Sequence, residues 1–122
     1  MARVLVVDDE PSYRKYLEKY LTHEGYEVRA AGNGREAMEI AKGFEPHVLL
    51  VDWMLKDRLH GLDVGLALRA SHASLQILLM TGYASADVRE QARQANVFRF
   101  LEKPFGLEEV ASAVADAVRT EG

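Results

Sequence analysis

The chain has 122 residues, 48% of them hydrophobic and 28% charged, with a formal net charge of −4 and no cysteine. That length supports one domain, spanning residues 1–122, around a single core. Disulfide and thiolate chemistry are excluded, and no signal-peptide pattern or bilayer-length apolar stretch is present. Charges of both signs are interspersed, so no basic stripe marks direct nucleic-acid or membrane binding. The cytoplasm is the expected compartment.

Strand-like and helix-like segments alternate along the chain. Val4–Val7 is a short β-branched run, and Pro11 then suits an early helical position. Tyr13, Tyr16, Leu17, Tyr20 and Leu21 follow at helical spacing, which predicts one apolar face, with Gly25 as a left-handed cap. Glu27–Ala31 reads as a weak strand. Ala37, Met38, Ile40 and Ala41 predict a second helix closed by Gly43, and Phe44-Glu45-Pro46 a turn into a strand at Val48–Val51.

Gly61 opens a third helix carrying Leu62, Val64, Leu66 and Leu68. Ile77–Met80 predicts a fourth strand, and Ser85–Ala95 a polar fourth helix with little to pack. Val97–Leu101 predicts a fifth strand. Gly106 to about Arg119 forms the last helix, with Leu107, Val110, Val114 and Val118 on one stripe. Unbroken apolar runs alternating with helices predict an α/β fold: a doubly wound, five-stranded parallel sheet with five helices. The expected strand order is 2-1-3-4-5, carried over from flavodoxin-like folds.

Each buried run stops at a residue with usable chemistry. The first ends at Asp8-Asp9, the third at Asp52, the fourth at Thr81, and the fifth at Glu102-Lys103-Pro104. Ligands of open parallel sheets bind beyond the carboxyl ends of the strands, so these residues are candidates for a single pocket. Two carboxylates about 4 Å apart repel by about 4 kcal/mol at an effective dielectric near 20. Three acids together therefore call for cations, and Mg²⁺ prefers such oxygen ligands. Taken singly, Asp8 and Asp9 would also suit a helix start, and Thr81 a strand end bonded to its own backbone. Asp52, directly after a buried run, is costly unless paired.

The segments VLVVDDEP, VLLVDWML, TGYAS and FLEKPFG, with Asp8-Asp9, Asp52, Thr81 and Lys103-Pro104 in this order, resemble the receiver domain of bacterial response regulators across the whole chain. The resemblance implies a phosphoacceptor signalling domain that assists only its own phosphorylation and dephosphorylation, and not an enzyme acting on other substrates. Asp52 would accept a phosphoryl group from a phosphohistidine of a sensor histidine kinase or phosphotransfer protein. Mg²⁺ would be held by Asp8, Asp9, Asp52 and the backbone carbonyl of Met54. Lys103 and Thr81 would contact phosphoryl oxygens. Thr81 and Phe100 would then form a switch that changes the face made by the fourth helix, fifth strand and fifth helix. Phe100→Ala is expected to keep phosphorylation and weaken partner binding. A cis Lys103-Pro104 bond is also implied, as are a downstream effector protein or separate output domain and the possibility of a homodimer.

The chain departs from the family pattern in places. Lys56 stands where a proline is common, and Gly61 comes one position late, behind Asp57, Arg58, Leu59 and His60. A longer, less rigid loop is expected, in which Lys56 or Arg58 could approach the site, with His60 at the surface. Met54 and Tyr83 occupy positions that tune hydrolysis, and neither activates water readily, so a persistent acyl phosphate is expected. Arg99 stands where the best-known DNA-binding branch has an aspartate, which argues against that branch's dimer mode.

Two other chemistries fit poorly. A haloacid-dehalogenase-type phosphatase needs an acid where Met54 stands, and Asp8-Asp9-Glu10 would repel the phosphate of a flavodoxin cofactor. The remaining alternative is a receiver-fold interaction module that works without phosphorylation.

Overall fold

In the computed structural model, which describes residues 1–55 and 60–121, five strands alternate with five helices. In chain order these are β1 (Arg3–Val7), α1 (Pro11–His23), β2 (Glu27–Ala31), α2 (Gly34–Phe44), β3 (Val48–Asp52), α3 (Gly61–Ser71), β4 (Gln76–Thr81), α4 (Ala86–Gln94), β5 (Arg99–Glu102) and α5 (Leu107–Glu121). The strands form one parallel sheet in the order β2-β1-β3-β4-β5, as expected. Val7 pairs with both Ala31 and Val51, Asp52 with Met80, and Thr81 with Glu102. The carboxyl ends of the strands therefore stand side by side.

Alternation along each strand divides the core into two layers. Leu5, Val7, Leu49, Val51, Ile77 and Leu79 face the layer beneath α2, α3 and α4. Val4, Val6, Val48, Leu50, Leu78, Met80 and Leu101 face α1 and α5. Both faces of the central strands are covered, which is why their sequences are apolar without interruption.

Leu17 and Leu21 of α1 are wholly buried. Each burial is worth about 1.5–3 kcal/mol, far above the propensity differences between helix formers, so packing sets the rotation of α1. Tyr16 departs from expectation and is 54% exposed. It lies about 100° around the helix from Leu17 and about 140° from Leu21, given 3.6 residues per turn, and so falls off the core face. Gly25 (φ 100°) does follow α1 in the left-handed conformation.

Gly43 does not close α2. The helix continues through the buried Phe44, and Glu45 (φ 51°) takes the left-handed cap, its N–H returning to the Ala41 carbonyl. Pro46 disfavours a helical residue before it, so the turn falls at Glu45 rather than at the glycine. The fifth strand also starts later than its apolar run suggests. Asn96 is left-handed and the Val97 N–H returns to Ala92, which assigns both residues to the exit of α4. The polar α4 buries only Val88 and Ala92, in keeping with its sparse apolar content. No helix among the described residues is long and apolar enough to cross a membrane.

Candidate functional site

The turn leaving β1 places Asp8 at the mouth of the sheet, fully buried, with Asp9 half-buried beside it. One oxygen of each central acid meets a backbone donor: the Glu10 N–H donates to Asp8 Oδ1 at 2.9 Å, and the Met54 N–H to Asp52 Oδ1 at 3.3 Å. Lys103 takes the other oxygen of each, its Nζ lying 3.2 Å from Asp8 Oδ2 and 2.9 Å from Asp52 Oδ2. Asp8, Asp9 and Asp52 each present an oxygen, all within 4.8 Å of one another. No hydrogen bond or ion pair among the described residues engages the Asp9 carboxylate.

Among the described residues the electrostatics of this cluster are unbalanced, since one ammonium faces three carboxylates. Burial raises the Asp52 carboxyl above the usual carboxylate range. The hydrogen bond and charge of Lys103 pull it back, and Asp8 pushes it up again. Burial alone would lower Lys103. Its hydrogen bond to Asp52, together with the charges of Asp52 and Asp8, outweighs that and holds the ammonium above the ordinary lysine value. Lys103 is thus firmly cationic, and the pocket keeps an excess of negative charge in close oxygen geometry. A hard divalent cation fits that donor set.

The other candidates stand around this centre. Thr81 is buried at the end of β4, where its hydroxyl donates to the Tyr83 carbonyl at 3.1 Å and accepts from the Tyr83 N–H at 3.2 Å. In this state it serves its own loop. The Lys103 N–H donates to the Thr81 carbonyl at 2.7 Å, joining the two strand ends. The Lys103-Pro104 bond is cis. Phe100 is half-buried against the core layer of α2–α4, and the Arg89 guanidinium lies 5.6 Å from its ring centroid. Arg89 also donates to the Ala84 carbonyl, and Glu102 accepts from the Ala84 N–H, so the β4–α4 loop is tied to β5.

Met54 and Tyr83 expose their side chains beside the pocket. His60 is exposed as expected, yet its ring stacks on Trp53 at 5.4 Å, and a single antiparallel bridge joins it to Met54. Lys56 and Arg58 lie outside the described residues.

Two further side chains that the sequence pattern does not single out support the site. Arg14 donates to the Asp8 carbonyl at 2.8 Å and packs against Gly32, bracing the acidic turn. Tyr13, assigned only to the apolar face of α1, lies with its ring centroid 4.7 Å from Lys103 Nζ. The available signal was position, since both residues fall in the first turns of the helix that starts at the acidic strand end.

Comparison with known proteins agrees with this arrangement. A family model described as the response regulator receiver domain matches residues 4–115. Response regulator MprA of Mycolicibacterium vanbaalenii is 36% identical over 117 residues, covering 96% of this chain and 50% of that protein. The probable transcriptional regulatory protein TcrX of Mycobacterium tuberculosis is 35% identical over 119 residues, covering 98% and 50% respectively. The chain thus spans about half the length of the curated relatives it matches. Chemotaxis protein CheY4 of Vibrio cholerae superposes with a TM-score of 0.89 at 28% identity, covering 96% of this chain and 98% of that one. Matched along nearly all of its length, the chain belongs to the response regulator receiver domains of two-component systems.

Proposed function

We propose that the acidic pocket is a Mg²⁺-dependent phosphoacceptor site with Asp52 as the nucleophile. The observation that carries this reading is the shared lysine: Lys103 bonds one oxygen each of Asp8 and Asp52 while Asp9, beside them, has no hydrogen-bond or ion-pair partner among the described residues. Such an arrangement is poor as a purely structural ion pair and well suited to a site that receives further charge.

Asp8, Asp9, Asp52 and the Met54 carbonyl would hold Mg²⁺, which neutralises charge on the transferred group when bound. An Asp52 oxygen attacks the phosphorus of a phosphohistidine, the P–N bond breaks, and the imidazole leaves with the electron pair. Lys103 stabilises an equatorial phosphoryl oxygen. Thr81 exchanges its Tyr83 carbonyl for a phosphoryl oxygen, and Phe100 moves in response, which shifts the population of the α4–β5–α5 face. A sensor kinase or phosphotransfer protein supplies the group in the cytoplasm, and an effector protein or output domain reads the face. Arg99 is ion-paired at 2.9 Å to Asp116 of its own α5 and lies over the Phe98 ring, so its charge is engaged within the chain.

Trp53 adjoins Asp52 and is the chain's sole tryptophan, which makes its fluorescence a local reporter. A change is expected on adding Mg²⁺, and a further one with acetyl phosphate or beryllofluoride. Asp52→Asn should lose the acetyl-phosphate response. A wild-type signal unmoved by all three reagents would favour an interaction module that works without phosphorylation.

A further inference from the structure

We infer that Tyr13 is a positioning residue for Lys103, holding the ammonium over the acid pair with the face of its ring. This rests on the phosphoacceptor reading of the same site. Tyr13 stands in the first turn of α1, with its ring centroid 4.7 Å from Lys103 Nζ. The ring also makes an edge-to-face contact with Phe105, at 5.8 Å and 65°. Tyr13 therefore touches both the lysine and Phe105, two residues further along the same turn.

The need for such a partner follows from the chemistry of the pocket. An ammonium has three N–H donors, and here two of them meet Asp8 and Asp52. Both carboxylates belong to the acid cluster that a divalent cation would occupy, so they are the partners Lys103 shares with a competitor. An aromatic face attracts an ammonium through its quadrupole and offers a hard dication no oxygen ligand. Tyr13 is thus the contact of Lys103 that persists when the acids are engaged elsewhere. Burial, then the charges of Asp8 and Asp52, raise the Tyr13 hydroxyl to about 12, so the ring stays a neutral phenol at working pH. If Tyr13 served only to pack, leucine would replace it as well as phenylalanine does.

Two measurements test this on the whole chain. In the wild type, the ε-methylene protons of Lys103 should be shifted upfield of the other lysines by the ring current. Tyr13→Phe should keep that shift and Tyr13→Leu should abolish it. At saturating Mg²⁺, phosphorylation by acetyl phosphate should be about fivefold slower in Tyr13→Leu and within about twofold of wild type in Tyr13→Phe. Equal rates for both variants, or an unshifted Lys103 in the wild type, would overturn the assignment. If Tyr13→Leu fails to fold, the wild-type shift and the Tyr13→Phe rate still decide. A wild type inert to acetyl phosphate would refute the phosphoacceptor reading, while the ring-current shift independently reports where Lys103 sits.

Discussion

Gly61 packs so tightly on Asp52 that a Cβ there would overlap the Asp52 carbonyl oxygen and stand 2.8 Å from its carbonyl carbon. The Gly61 N–H also donates to the neighbouring Trp53 carbonyl at 2.9 Å. The start of α3 is thereby pressed against the strand end that presents Asp52. Gly61→Ala should cost about 3 kcal/mol of stability, the upper range for overpacking, and should blunt the acetyl-phosphate response. Gly43→Ala has no neighbour within 4 Å and should stabilise α2 by about 0.5 kcal/mol. Urea unfolding of both variants checks the contrast, and a Gly61→Ala protein as stable as wild type would contradict it.

Alkaline stability should depend on Tyr13. Its hydroxyl is raised from 10.0 to about 12, first by burial and then by the charges of Asp8 and Asp52. A group whose folded value lies above its unfolded one stabilises fully below the unfolded value, and that contribution is lost as pH rises through the folded value. Stability should therefore fall between pH 10 and about 12. Lys103, also raised, acts with the same sign. Tyr13→Phe should flatten the fall without abolishing it, as read from denaturant midpoints across that range.

The lifetime of the acyl phosphate should respond to position 54. Met54 is 61% exposed, two residues past Asp52, and offers no group to activate water. Met54→Asp places a general base there, which can contribute as much as about 10²-fold. Decay of the phosphorylated protein should be at least several-fold faster than in wild type. Equal decay rates would show that water is excluded by something other than this side chain.

Arg69 should matter for the fold and not for the chemistry. Its guanidinium donates to the Ala95 carbonyl at 2.6 Å, to Asn96 at 3.2 Å and to Leu75 at 3.1 Å, pinning the exit of α4 to α3 at the sheet end opposite the acids. With only Val88 and Ala92 of α4 buried, that anchor carries much of the helix's attachment. Arg69→Met should cost about 2 kcal/mol and speed amide exchange in α4 first, while the Trp53 response to Mg²⁺ persists. A uniform loss of protection across the sheet would argue against a local anchor.

The sequence by itself determined the strands, their order by resemblance, and the residues at their ends. Buried parallel strands must be apolar on both faces, so Asp8, Asp52 and Thr81 stand out as interruptions. Boundaries set by competition between neighbouring residues were less legible, as at Glu45, where Pro46 and the burial of Phe44 override Gly43. Only the tertiary structure decided that Lys103 divides its donors between Asp8 and Asp52, that Thr81 turns to Tyr83, and that Tyr13 covers the lysine. Those contacts join residues distant in the chain, and no periodicity encodes them. They depend on strand register and helix rotation, which are fixed when the core packs.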